Sequence, residues 1–184
     1  TLQNGGFLGY SLNPVYQGLT ETFSPLGVNI VQGDYHDFRQ QVWVNTDPSK
    51  VINLFGQYDW GTYFNGQLTI TDLTLQFAPS PHFSLSGKFN RNRFKNVGDQ
   101  QGLNTIDLYT LEGRFALNPR LQLIAFYQQN SEDDSKNYNI RLSWEYRPLS
   151  FLYIVLNRYG FKDLSNLRQL ENHGIVKLSY LRQI

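Results

Sequence analysis

The sequence predicts an all-β protein, an antiparallel up-and-down transmembrane β-barrel, and three observations carry that expectation. Period-two alternation recurs along the chain, and almost nothing has helical period. Most alternating segments run to about ten residues, longer than a usual globular strand and close to a tilted membrane strand. The connections between them alternate in length, short and then long, as in outer-membrane barrels. The clearest segment is "NYNIRLSWEYRP" (137–148). Tyr138, Ile140, Leu142, Trp144 and Tyr146 fall on one face of it, and Asn139, Arg141, Ser143, Glu145 and Arg147 on the other.

Taken in order, the first 35 residues are the least regular. "GGFLGYSLN" (5–13) and "ETFSPLGVNIVQ" (21–32) could each form a strand, but Gly and Pro interrupt both. From residue 36 onward nine strands follow, near 36–46, 51–61, 67–78, 82–91, 104–117, 120–130, 138–147, 151–159 and 172–183. One of the opening stretches brings the expected number to about ten. "DPSK" (47–50), "PSPH" (79–82), "NPR" (118–120) and "RPLS" (147–150) are tight connections containing Pro, which fixes φ and cannot continue a ladder. The longer ones are 90–104, 131–137 and 158–171. "FNGQ" (64–67) is a shorter exception, with Asn65-Gly66 suited to a type I′ hairpin turn. No repeat or linker is visible, so residues 1–184 read as one domain, either a complete barrel or the C-terminal part of a larger one.

Composition narrows the functional classes. A net charge of +1 invites no nucleic acid. The absence of Cys removes disulfides, thiolate metal sites, cysteine nucleophiles and lipoprotein-type acylation together. With no Met and no signal-peptide pattern, the chain reads as a processed product or a fragment. No apolar run approaches the length of a membrane helix, which leaves membrane strands as the way to cross.

Alternation alone does not say which face is wet, since a soluble lipocalin-like barrel alternates too. Two details favour lipid. Tyr138 and Trp144/Tyr146 bracket Ile140 and Leu142. Eight residue steps span about 26 Å of strand, or roughly 20 Å of height at a tilt of about 40°, close to the apolar band between aromatic girdles. Similar terminal aromatics are Tyr58 and Trp60, Phe77 and Phe83, Tyr109 and Phe115, and Tyr153. The other face carries Asn53, Gln57 and Asp59, then Asp72, Thr74 and Gln76, and the mixed charges Glu112, Arg114, Arg141, Glu145, Arg147 and Lys177, with Ser179 and Gln183. That set is the expected lumen lining, either a selectivity lining or a salt-bridged filling of side chains. The expected lipid-facing and girdle set is Tyr138, Ile140, Leu142, Trp144, Tyr146, Val176, Leu178 and Tyr180.

"NIRLSWEYRPLSFLYIVLNR" (139–158) resembles the penultimate hairpin of a group of outer-membrane proteins of the Gram-negative Bacteroidota. These join an N-terminal module resembling a family-9 carbohydrate-binding domain to a C-terminal β-barrel of unassigned function. "NHGIVKLSYLRQI" (172–184) resembles their last strand, and "GQYDWGTYFNGQ" (56–67) and "LQLIAFYQQNS" (121–131) also fit. The Arg-Leu-x-Trp-Glu-Tyr-Arg-Pro run is the most specific part. The family usually has Gly after that Pro, where this chain has Leu149. The resemblance implies a location in the bacterial outer membrane, a missing upstream carbohydrate-binding-like module, and upstream strands to complete the barrel. It carries over no catalytic residue.

Candidate chemistry is sparse. His36, His82 and His173 lie far apart with no second ligand at metal spacing, and read as turn or surface histidines. "SLSGK" (84–88) lacks the rest of a P-loop, and no nucleophile–base arrangement is visible. Glu132, Asp133 and Asp134 read as a solvated loop tip, or else as a weak Ca²⁺ or ion-bridging site. Lys88, Arg91, Arg93 and Lys95 in "KFNRNRFKN" (88–96) are the sharpest charge cluster, an ordinary solvated loop or a contact to phosphates of lipopolysaccharide. The expectation is therefore a non-enzymatic anchor or scaffold, or a subunit of an outer-membrane complex, with no cofactor. Its partners would be outer-membrane lipid, the barrel insertion machinery and other subunits of that complex. A porin-like channel and a soluble lipocalin-like binding barrel are the alternatives; a hydrolase comes last.

Overall fold

A computed structural model of the chain describes residues 5–24, 28–99, 101–162 and 168–181. Its strands form one sheet in chain order. They are β1 (Phe7–Leu19), β2 (Gly33–Asn45), β3 (Ile52–Tyr63), β4 (Gly66–Ser80), β5 (Phe83–Lys95), β6 (Leu103–Asn118), β7 (Leu121–Asn130), β8 (Ser135–Arg147), β9 (Ser150–Lys162) and β10 (Arg168–Ser179). The pairing is antiparallel, with Phe7 opposite Asn45 in the first pair and Arg168 opposite Lys162 in the last. Among the described residues no helix is long and apolar enough to cross a membrane.

β1 settles the ambiguity of the first 35 residues. "GGFLGYSLN" becomes a strand that runs on to Leu19, whereas the described residues of the second stretch contribute an isolated bridge between Phe23 and Ile30. Gly9 is tolerated because Trp43 lies opposite it in register. A Cβ there would sit 2.2 Å from the indole, so the ring covers the glycine and recovers the missing contact. Pro14 has no N–H to give a ladder, and β1 stands at the end of the strand order, where a proline is tolerated.

Several connections are shorter than the sequence suggested, because pairing continues where apolar alternation stops. β5 extends to Lys95, β8 starts at Ser135, and β9 and β10 reach into the expected 158–171 loop. Cross-strand polar pairs sustain such ends: Arg91 is bidentate to Asp107 at 2.7 and 2.8 Å. The last strand starts and stops about four residues early, so Tyr180 follows it; Gln183 lies outside the described residues.

The "FNGQ" turn departs from type I′. The positive φ falls on Phe64 (51°), and neither Asn65 nor Gly66 adopts one. That conformation costs a non-glycine residue about 1–2 kcal/mol. Burial of the ring compensates, since Phe64 packs on Tyr63 at 4.6 Å and Tyr35 at 5.1 Å. Asn65 is held by Gly98, donating to its carbonyl at 2.8 Å and accepting its N–H at 2.7 Å.

The chain divides into two compact units. The first comprises the described parts of residues 1–48, 54–74 and 89–107. Its core is an apolar cluster of Val28, Ile30, Leu68, Phe94, Val97 and Ile106, with Leu19, Tyr35, Tyr63, Phe64 and Ile70 packed against it. The second comprises the described parts of 49–53, 75–88 and 108–184. It is a stack of cross-strand rungs whose apolar side chains stay open to the surroundings: Leu123, Leu142, Ile154 and Val176 face one another across β7 to β10, and Val176 is 70% exposed.

Candidate functional site

The informative feature is the pattern of faces along single strands. In β4, Leu73, Leu75 and Phe77 share one face and are exposed, while Asp72, Thr74 and Gln76 take the other. Earlier in the same strand the polarity reverses. Gln67, Thr69 and Thr71 continue the first face, and Leu68 and Ile70 continue the second, where Leu68 is buried. β5 does the same: Phe83, Leu85 and Phe89 precede Arg91, Arg93 and Lys95 on one face, and Ser84, Ser86, Lys88, Asn90 and Asn92 precede the buried Phe94 on the other. In β6 the order is mirrored. Buried Ile106 shares its face with Leu108, Thr110, Glu112 and Arg114, while Thr105 and Asp107, with exposed Leu103 at the strand start, share theirs with exposed Tyr109, Leu111, Phe115 and Leu117.

Within the first unit the face of Leu68 carries polar groups that are tied to one another. Arg39 pairs with Asp59, each about 13% exposed, and reaches the Leu68 carbonyl at 3.5 Å. Asn90 donates to Asp72, and Asn92 donates to Asn90 at 2.6 Å. The segments that bring Val28, Ile30 and Val97 into the apolar cluster are clasped together. Asn29 donates its N–H to Asp99 at 3.0 Å and its amide to the other carboxylate oxygen at 2.8 Å, and Asp99 returns its N–H to the Asn29 carbonyl at 3.0 Å. Those donors hold the Asp99 carboxyl below its ordinary pKa.

Within the second unit, register places five of the six expected lumen residues on one face. Arg114 and Arg141 lie on either side of Ile124, and Glu112 lies opposite Phe126. The same face takes Glu145 and Lys177, whereas Arg147 follows a register shift and pairs with Ser150, off that face. Among the described residues none of the six has an ion-pair partner. Arg114 donates to Gln122 at 3.1 Å, and Glu145 accepts the Leu149 N–H at 2.9 Å, which closes the 147–150 turn. Register also moves Tyr153, expected among the girdle aromatics, onto this polar face between Ser143 and Lys177.

The opposite face carries Tyr138, Ile140, Leu142, Trp144 and Tyr146, with Val176 and Leu178 on β10. Trp144 and Tyr146 meet edge to face at 6.1 Å, and the Tyr146 hydroxyl donates to the Ser179 carbonyl at 2.9 Å. Tyr180, beyond the strand, is exposed.

The expected basic loop cluster is split by the strand. Arg91, Arg93 and Lys95 share a face and Lys88 takes the other, because the strand extends through all four. Arg91 is also engaged by Asp107. His36 packs on Tyr16 at 5.0 Å, His82 meets the Ala116 carbonyl at 2.7 Å, and His173 sits 3.6 Å from Glu171. Asp133 accepts the Ser135 N–H at 3.0 Å, a local turn bond. Among the described residues no three His, Asp or Glu side chains are grouped to hold a metal ion.

Sequence reasoning missed the apolar cluster and its clasp. Leu68 and Ile70 keep the parity of Asp72 and Thr74, so a period-two template averages over the reversal. The one local signal is the concentration of Arg91, Arg93 and Lys95 opposite Phe94. The described residues define a class: an all-β protein of ten antiparallel strands in a single sheet, in chain order. Comparisons with protein-family models, with curated proteins and with solved structures found no match.

Proposed function

We propose that the chain is the transmembrane β-barrel part of a bacterial outer-membrane protein and acts there as a non-enzymatic anchor or scaffold. It holds a surface or soluble module, glycan-binding as the resemblance of residues 139–158 implies, or joins a larger outer-membrane complex. The observation that supports this most is the polarity reversal in β4, β5 and β6. A soluble barrel keeps one face apolar and the other wet along a whole strand. A strand that leaves the hydrocarbon for water must exchange them: outward Leu, Phe and Tyr give way to Arg, Lys, Thr and Asp, and the inward face turns apolar. The exposure of Leu75, Leu111, Val176 and Leu178 argues against the lipocalin-like reading, in which these side chains would line a sealed pocket.

Transport is the second reading, favoured by one observation: Arg114, Arg141 and Lys177 share one face of the second unit, with no carboxylate bridged to them among the described residues. Planar-bilayer recording of the folded chain separates the two. The scaffold gives a flat trace, and an open anion-preferring conductance that falls in Arg114→Gln and Arg141→Gln replaces it with a channel.

A further inference from the structure

The rungs of the second unit change character toward one end of its apolar face. Leu123, Leu142, Ile154 and Val176 form an aliphatic rung. The next is Ala125, Ile140, Leu156 and Gly174, then Tyr127, Tyr138, Arg158 and Asn172, and then Gln129, Lys136, Gly160 and Leu170. Two steps of the ladder, about 14 Å along the strand, therefore lead from the aliphatic rung to Arg158, and a third step leads to Lys136. A cavity of about 270 Å³ is lined by Lys136, Tyr138, Arg158, Gly160 and Leu170. It adjoins a groove of about 450 Å³ over Ile140, Leu156 and Gly174, and Tyr138 and Arg158 line both. Glycines leave this space open. A Cβ on Gly160 would lie 2.9 Å from Leu170 Cδ2, and one on Gly174 would lie 3.6 Å from Leu156 Cδ2.

We propose that this pair of cavities binds one membrane glycolipid carrying a phosphomonoester, with the phosphate on Lys136 and Arg158 and an acyl chain in the groove. The proposal rests on the membrane reading above and adds a particular site to it. Charge selects the ligand. Neither cation is in an ion pair among the described residues, and no carboxylate stands in their two rungs. The nearest acid along β10, Glu171, is on the opposite face, opposite Tyr159 and beside His173. Two positive charges match a phosphomonoester, which carries close to two negative charges, better than the single charge of a diester. An arginine fork beside a lysine suits phosphate oxygens. The adjoining apolar groove selects an amphiphile over free phosphate or a phosphorylated sugar.

The test uses the full chain in detergent micelles, with bound lipid read by native mass spectrometry. The probes are diphosphoryl lipid A, phosphatidylglycerol, phosphatidylcholine and inorganic phosphate. Diphosphoryl lipid A is expected to bind ahead of the other three. The double variant Lys136→Gln/Arg158→Gln should weaken it roughly a hundredfold, the worth of two charge-assisted contacts at about tenfold each. Gly160→Leu should weaken it roughly tenfold without altering charge, by filling the cavity floor, and Arg93→Gln/Lys95→Gln should leave it unchanged. Equal binding by the double variant or by Gly160→Leu overturns the site, as does equal binding of phosphatidylcholine or full competition by inorganic phosphate. Detergent-phase partition of the same preparation tells the two failures apart. A chain that partitions into detergent but shows no lipid A preference loses only this site, whereas one that stays in the aqueous phase loses the membrane reading and the site with it.

Discussion

Leu149 shows how much a single backbone angle matters here. It follows Pro148 in the 148–149 turn, at φ 60° and largely exposed, where the resembled family carries glycine. The left-handed conformation costs a side chain with Cβ about 1–2 kcal/mol, and little burial is gained in return. Leu149→Gly should therefore raise stability by up to about 1 kcal/mol after the added freedom of the unfolded chain is subtracted. Leu149→Val, β-branched at the same angle, should lower it by a similar amount. Urea titration of the folded chain in micelles, followed by heat-modifiable gel migration, reads both. Facing is tested by adjacent residues in the same way. Leu142 lies between Leu123 and Ile154 on the apolar face, and Ser143 lies between Gln122 and Tyr153 on the other. Leu142→Arg should cost about 2–4 kcal/mol in a bilayer, and Ser143→Arg much less. Equal losses would contradict the facing.

The clasp between loops 20–32 and 96–102 gives the loop elements a pH response. Asp99 accepts two bonds from Asn29, and its carboxyl is held below the usual carboxylate value. A depressed carboxylate contributes stability that is complete above its unfolded pKa and is lost as pH falls through the folded one. Protection of the Asn29 and Asp99 amides, measured relative to their intrinsic exchange rates, should therefore be high at neutral pH and fall in the acid range below the usual aspartate pKa of about 3.9. Asp99→Asn should show low protection at both. Gly98 tests the same element sterically. At φ 66°, a Cβ would meet Val28 Cγ1 at 2.4 Å and the Asn29 carbonyl at 2.5 Å, so Gly98→Ala should cost about 1–3 kcal/mol. Much of the strand order was legible, because Tyr138 to Tyr146 and their counterparts alternate cleanly and Pro marks the tight turns. β1 was obscured by Gly9 and Pro14, which make sense only once Trp43 is known to lie across from Gly9 and β1 at the end of the strand order. The loop clasp was not legible at all. It joins Asn29, Asn65, Gly98 and Asp99 across some 70 residues, and no local period records a contact of that range.

At the scale of the whole chain, the membrane reading makes a demand that a soluble sheet could not meet. Leu111, Leu117, Val176 and Leu178 are each about half exposed or more. Each fully buried aliphatic side chain contributes about 1.5–3 kcal/mol of transfer free energy, so such a face left in water would drive aggregation. In a bilayer the same face is solvated by acyl chains. The chain should consequently be retained in membranes through an alkaline carbonate wash and should pass into the detergent-rich phase on cloud-point separation. A soluble binding barrel would stay in the aqueous phase and remain monomeric without detergent. Substitutions extend the test beyond the wild type. Leu75→Ser, Leu111→Ser and Leu178→Ser together should shift partition toward water while leaving strand content unchanged, because all three lie on the exposed apolar face. Gln76→Ser, Thr110→Ser and Lys177→Ser, one position away on β4, β6 and β10, should leave partition where it was. If both triple variants partition alike, the apolar face is not what holds the chain in the membrane, and anchoring loses its physical basis.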